Sequence, residues 1–275
     1  MTSGDRQRPR GGAVNVTRLA AMKRDGEPIA CLTAYDYGFA AACERAGVDL
    51  LLVGDSLGMV VQGHETTLPV TVEEVIYHTR CVARACRRSL VVADMPFMSH
   101  PDAESGLASA GRLVKEGGAQ MVKLEGGAEQ AALVSRLSAN GIPVCAHLGL
   151  RPQQVHKLGG YRVQGRAEAE AEAMAADARA LEEAGADLLI LECVPAALAR
   201  RLAGALAIPV IGIGAGSGCD GQILVLHDVL GVTPQPPRFA RAFGREAAGV
   251  EPALAAYVEA VKARSFPGEQ HGFQA

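Results

Sequence analysis

The 275-residue chain has no tryptophan, and aromatic residues make up only 4% of it. Base-stacking platforms for single-stranded nucleic acid need such rings, together with a positive field along the path of the backbone. Rings are scarce and, at a formal net charge of −3, an overall basic field is lacking, which argues against a nucleic-acid binder. Cysteine is not scarce, but it lacks pattern: seven residues (31, 43, 81, 86, 145, 193 and 219), an odd number, with no C-x-x-C pair. A chain this long needs no disulfide staples, so reduced thiols and a cytoplasmic location are expected. The N-terminal stretch is not expected to act as a secretory leader, since MTSGDRQRPRGG is basic but leads into no apolar run. The longest uncharged run, Leu202–Cys219, is broken by Pro209 and five glycines and reads as strand and loop rather than membrane span.

What is present is a globular composition, 49% hydrophobic and 21% charged, with a repeated theme. Helix-like Ala/Glu/Arg stretches alternate with short, wholly apolar runs, the pattern of parallel strands covered on both faces. The runs are Ile29–Thr33, Asp49–Val53, Leu90–Ala93, Gln120–Leu124, Ile142–Ala146, Asp187–Leu191, Pro209–Ile213 and Ile223–Leu226, eight in all. Three junctions nearly superimpose: ERAGVDLLLVGDS, KEGGAQMVKLEGG and EEAGADLLILECV. In each, a charged helix end meets a glycine suited to the left-handed helix stop, then an apolar strand, then a carboxylate. The glycine-to-carboxylate offsets are 8, 7 and 7 residues (Gly47 to Asp55, Gly118 to Glu125, Gly185 to Glu192).

Such a repeat in a chain of this length predicts a (β/α)₈ TIM barrel, which typically takes about 250 residues. A doubly wound open sheet is the alternative. Residues 16–267 are expected to form the single barrel domain, with residues 1–15 disordered and 268–275 a flexible tail. An extra N-terminal helix is expected at Val16–Arg24, a helix start at the Thr71/Glu74 capping box after a long loop Gly54–Pro69, and a tail helix at Pro252–Arg264.

Active sites of such barrels lie where the strands end. Asp55, Asp94, Glu125 and Glu192 follow strands two, three, four and six. Hard oxygen donors of this kind suit Mg²⁺ or a similar cation, and no His/Cys spacing argues for zinc. The competing reading is that each carboxylate merely caps the next helix. Lys123 lies two residues before Glu125 in MVKLE, so both side chains share one strand face. A lysine within an apolar strand is costly unless it is paired or functional. It could bind a substrate carboxylate or an enolate oxygen, act as a Schiff-base nucleophile, or form a purely structural salt bridge. His147, in CAHLGL, stands equally open between a structural and a catalytic role, and Tyr35 has no assigned one. GIGAGSG (212–218) matches no dinucleotide signature and implies only unusual backbone angles or a close approach.

Longer stretches narrow the field. VGDSLGMVVQGHETTLPVTVEEVIYHT, ADMPFMS, KLEGG, AHLGLRPQ, GGYRVQGR, LECVP and GIGAGSGCDGQILVLHD together resemble the ketopantoate hydroxymethyltransferase family, from about Thr17 to Ser265. The resemblance implies a barrel of the phosphoenolpyruvate/pyruvate type. The implied reaction carries a hydroxymethyl group from 5,10-methylenetetrahydrofolate to α-ketoisovalerate (3-methyl-2-oxobutanoate). The product is ketopantoate, formed through a Mg²⁺-stabilised enolate for pantothenate and coenzyme A synthesis. It further implies Asp55, Asp94 and Glu125 at the Mg²⁺ site, keto-acid contacts from Asp55, Ser56, Asp94 and Lys123, Glu192 as general base, and a homodecamer. Partial burial is expected to make Glu192 a better base. Two rivals remain: a Mg²⁺-dependent lyase or phosphonomutase of the same barrel type, which would want a reactive loop cysteine, and a non-catalytic metabolite-binding barrel.

Overall fold

In the structure, a computed structural model that describes residues 12–274, eight parallel strands pair in chain order. They are β1 (Ile29–Thr33), β2 (Leu50–Val53), β3 (Leu90–Asp94), β4 (Met121–Glu125), β5 (Val144–Gly149), β6 (Leu188–Glu192), β7 (Val210–Ile213) and β8 (Gly221–Leu224). β8 returns to pair with β1, Ile29 opposite Gly221 and Leu32 opposite Leu224, so the sheet is a closed barrel and not an open one. Every strand residue is buried except Glu192, as strands between a filled barrel core and an outer layer of helices must be.

The helices are α1 (Val16–Arg24), α2 (Tyr37–Ala46), α3 (Leu57–Val60), α4 (Val72–Ala85), α5 (Ala103–Arg112), α6 (Ala131–Ala139), α7 (Val155–Leu158), α8 (Glu168–Glu183), α9 (Ala196–Ala205), α10 (Leu226–Leu230) and α11 (Val250–Lys262). The repeated junctions have a physical basis. Gly47, Gly118 and Gly185 have φ of 87°, 81° and 103°, a left-handed backbone that glycine adopts without Cβ strain. Each charged helix end therefore turns at once into the next strand, which delivers its carboxylate to the barrel mouth.

α1 occupies the span the sequence predicts and buries Leu19 and Met22. Lys23 Nζ donates to Asp220 Oδ2 and to the Ala203 carbonyl, each at 2.7 Å. Asp220 immediately precedes β8, so α1 covers the end opposite the mouth. α4 starts at the expected capping box, Glu74 N donating to Thr71 Oγ1 at 3.3 Å and Thr71 N to Glu74 Oε2 at 2.7 Å. α11 holds the seam where the barrel closes: the buried Tyr257 hydroxyl lies 2.8 Å from the Cys31 carbonyl on β1 and 3.0 Å from the Gln222 carbonyl on β8.

The structure differs from the sequence reading at the edges. β8 begins at Gly221, not Ile223, because strand pairing is a backbone property: Gly221 and Gln222 pair with Ile29 and Ala30 although neither is apolar. Leu226, counted as strand, instead opens α10. The long loop after β2 contains the single turn α3. Residues 1–11 lie outside the described residues, but Val14, expected in a disordered segment, is buried and its N–H donates to the Arg88 carbonyl at 2.7 Å. The expected flexible tail is likewise held in this structure. Phe273 bridges Pro195, and Ala196 N donates to the Phe273 carbonyl at 3.0 Å. Single apolar anchors such as Val14 and Phe273 make no periodic pattern, so periodicity does not register them.

Candidate active site

Register decides which polar side chains meet. β3 and β4 place Asp94 beside Lys123, β4 and β5 place Glu125 beside His147, and β5 and β6 place Gly149 beside Glu192. All six residues singled out from the sequence, Asp55, Ser56, Asp94, Lys123, Glu125 and Glu192, line one cavity of about 540 Å³ at the strands' C-terminal ends. The reading of isolated helix caps does not survive this convergence.

Lys123 is the centre of the floor. Its Nζ donates to both Asp94 carboxylate oxygens at 2.8 Å and lies 3.9 Å from Glu125 Oε1. Burial would favour the neutral amine, but the surrounding Asp94, Glu125 and Asp55 outweigh it and hold the lysine above its ordinary range. It is a fixed cation, which disfavours the free-amine nucleophile a Schiff base needs. Asp55 is pushed up, first by burial and then by the charge of Asp94, whose Oδ2 accepts from the Asp55 N–H at 3.3 Å.

His147 is more than a satisfied core histidine. Its Nδ1 stands 3.4 Å from Glu125 Oε1 and its Nε2 3.3 Å from Glu192 Oε2, though neither contact has the direction of a hydrogen bond. Burial and Lys123 both disfavour the imidazolium, yet the two carboxylates prevail and raise its pKa. Glu125 is held low: burial would raise it, but His147 and Lys123 win. Tyr35 stands behind Ser56, hydroxyl to hydroxyl at 2.9 Å. None of the other histidines lines the cavity.

Sequence reasoning missed Gln153. This buried amide donates from Nε2 to Asp55 Oδ2 at 2.9 Å and to the Met95 carbonyl at 3.0 Å, while its backbone N–H donates to Glu125 Oε2 at 3.1 Å. It thus orients two carboxylates from a short turn after β5. A neutral glutamine in RPQQ carries no charge or periodic signal; only its place in the AHLGLRPQ stretch marked the neighbourhood. Gln153→Leu is expected to lower kcat/KM by about 10–100-fold, the usual cost of removing an outer orienting partner. Steady-state kinetics on folded variant checks it, and unchanged constants would show that Gln153 only fills space.

The donor set fits a hard cation. Among the described residues, no three His, Cys, Asp or Glu side chains form a ready-made metal cage. Mg²⁺ does not require one, since it commonly takes one or two carboxylates and completes its shell with water and substrate oxygens. Asp55 and Asp94 are adjacent buried carboxylates that repel each other, and the buried Glu125 Oε1 has no hydrogen-bond partner. Both features are relieved by positive charge.

Two further expectations meet the structure here. Cys145 and Cys193, the thiols in or just after strands beside the site, are poor nucleophiles: burial pushes Cys145 up to about 12 and raises Cys193 as well. The glycine loop serves packing, because a Cβ on Gly214 (φ 60°) would lie 2.9 Å from the Phe239 ring and 3.1 Å from that of Phe273.

Solved structures place this architecture in a class. Phosphoenolpyruvate phosphomutase from Streptomyces platensis subsp. rosaceus superposes with a TM-score of 0.60 at 15% identity, over 79% of this chain and 83% of that one. A 2,3-dimethylmalate lyase, a PEP mutase/isocitrate lyase superfamily member, gives 0.54 at 18% identity, over 74% and 72%. At these identities the likeness is one of fold: a (β/α)₈ barrel of the kind found in that superfamily. Sequence gives the family. The ketopantoate hydroxymethyltransferase family model matches residues 13–269. The 3-methyl-2-oxobutanoate hydroxymethyltransferase of Halorhodospira halophila is 77% identical over the full length of both chains. That of Alkalilimnicola ehrlichii is 65% identical over 261 residues, 94% of each. The chain belongs to the ketopantoate hydroxymethyltransferase family, enzymes of the hydroxymethyltransferase class. Among the described residues, no helix is long and apolar enough to cross a membrane.

Proposed function

We propose that this chain transfers a hydroxymethyl group from 5,10-methylenetetrahydrofolate to α-ketoisovalerate, giving ketopantoate. The observation that carries the reading is the division of labour in one cavity. A buried cation and three buried carboxylates form the floor, while Glu192 alone among the four carboxylates is partly open, its side chain 17% exposed against 1% for Asp94 and 2% for Glu125.

Lys123 answers the negative charge of the bound oxo acid, and Ser56, braced by Tyr35, offers a hydroxyl to it. Asp55 and Asp94 would hold Mg²⁺, with Glu125 beside them. When bound there, the ion supplies Lewis-acid polarisation of the keto group. Glu192 takes the C3 proton of the oxo acid, and His147 steadies that carboxylate from 3.3 Å. The fixed charge of Lys123 favours the enolate over the starting acid. The balance is simple: C3–H breaks and a C3–C bond to the one-carbon unit forms. Both folate C–N bonds break, water supplies the hydroxyl oxygen, and the two amine protons come from C3 and from water.

The test is exchange of the C3 proton of α-ketoisovalerate in D₂O, followed by NMR with Mg²⁺ and no folate. Exchange that a chelator abolishes and added Mg²⁺ restores is the expected result. Full exchange in chelator-treated protein would refute the metal assignment, and silence with tetrahydrofolate added as well would refute the enolisation.

A further inference from the structure

The cavity does not end where the oxo acid would. Beyond the charged floor its wall turns apolar and aromatic: Tyr161 and Val163 from the segment after β5, Phe239 from the segment after α10, and Phe273 from the C-terminal tail. Phe239 and Phe273 reach this position because Gly214 leaves room for both rings. About 540 Å³ is in the range that encloses a drug-sized ligand, far more than a five-carbon acid fills.

The rim differs in charge from the floor. Arg162 lies between Tyr161 and Val163, and Arg238 precedes Phe239; both line the cavity and both are exposed. Among the described residues neither forms an ion pair. Arg238 donates from Nε to the Gln270 carbonyl at 3.2 Å, and its guanidinium carbon lies 6.0 Å from the centre of the Phe273 ring. That leaves its terminal nitrogens open. By contrast, the floor and Glu192 together set four carboxylates against Lys123 and His147.

We propose that this outer chamber seats the folate donor, with its pteridine and aminobenzoyl rings against Tyr161, Phe239 and Phe273 and its glutamyl carboxylates on Arg162 and Arg238; this rests on the oxo-acid reading above. Three physical points agree. Flat aromatic rings match an aromatic wall. A dianionic tail is repelled by the acidic floor, so it must point outward, which turns the methylene-bearing pteridine end inward toward Glu192. Guanidinium groups bind carboxylates through paired, planar hydrogen bonds, so two unpaired arginines at the rim are suitable receivers. Sequence reasoning left the folate pocket unassigned because its walls come from three separate segments, none with a motif of its own.

The experiment separates tail from ring. Tetrahydrofolate and 6-methyltetrahydropterin, which has the ring without the tail, are titrated calorimetrically and anaerobically into the full-length protein and into Arg162→Ala, Arg238→Ala and the double variant. Tetrahydrofolate is expected to weaken at least about tenfold in the double variant, while the tail-less pterin keeps its wild-type Kd. Raising the salt concentration should weaken tetrahydrofolate on the wild type more than on the double variant. An unchanged tetrahydrofolate Kd in the double variant would overturn the assignment, and so would equal weakening of both compounds. Direct binding needs no turnover, whereas the C3 exchange of the wild type needs no folate. Arginine-dependent folate binding without exchange would sink the oxo-acid chemistry alone, and exchange without arginine-dependent binding would sink this site alone.

Discussion

Glu192→Gln is expected to slow deuterium exchange at C3 of α-ketoisovalerate by about 10²–10⁴-fold, the contribution a positioned base ordinarily makes. The amide has the shape of the carboxylate but cannot accept the proton. Binding of the oxo acid should change little, because the proposed substrate contacts, Asp55, Ser56, Asp94 and Lys123, all lie on or just after other strands. The loss should therefore appear in kcat rather than KM. Stability should be nearly unchanged as well. Glu192 is the one strand residue that is not buried, and its nearest charged neighbour is His147 Nε2 at 3.3 Å without hydrogen-bond direction. The rival base is that same histidine. Should Glu192→Gln retain wild-type exchange while His147→Gln loses it, the roles reverse, and Glu192 becomes the group that orients an imidazole base.

The contrast between Glu192 and His147 also shows what a single sequence makes legible. Glu192 announces itself, since it repeats the junction of Gly47–Asp55 and Gly118–Glu125 and so shares their place at the mouth. The same repetition, counted to eight, is enough to expect the barrel, because the Gly-strand-carboxylate unit is local and each copy is complete in itself. Lys123 is legible for a different reason: an ammonium in an apolar strand demands an explanation, and two-residue alternation ties it to Glu125. His147 has no such local anomaly. Its meaning comes from register, which sets β5 between β4 and β6 and so puts one imidazole between two carboxylates from its neighbours. Gln153 is further from view, being neutral, in a turn, and important only through the two carboxylates it touches. The specific roles of Asp55, Asp94 and Glu125 came from the family resemblance; the residues themselves establish only a site rich in hard oxygen donors. The start of β8 is not legible in the sequence, because Gly221 and Gln222 pair through their backbones and apolarity does not mark that pairing.

Lys123→Met tests whether the centre of the site is there for chemistry or for the fold, and the two answers are separable. Removing the ammonium leaves Asp94 at 1%, Asp55 at 4% and Glu125 at 4% exposure without their shared cation. Breaking a buried pair from one side ordinarily costs about 3–5 kcal/mol, since the remaining charge is stranded. Urea unfolding should show a loss of that size. Asp94→Asn in the same chain removes the carboxylate that receives both Lys123 hydrogen bonds at 2.8 Å, and should recover much of the lost stability. Activity should not follow. A single fixed donor for developing oxyanion charge is ordinarily worth about 10²–10³ in rate, and the double variant lacks both that lysine and a carboxylate proposed to hold Mg²⁺. C3 exchange should thus stay depressed by at least that factor in a protein that again resists urea. Recovery of both stability and exchange would make Lys123 a structural salt bridge after all. Trapping of α-ketoisovalerate on wild-type Lys123 by borohydride would instead make it a nucleophile, against the protonated state its three carboxylate neighbours impose.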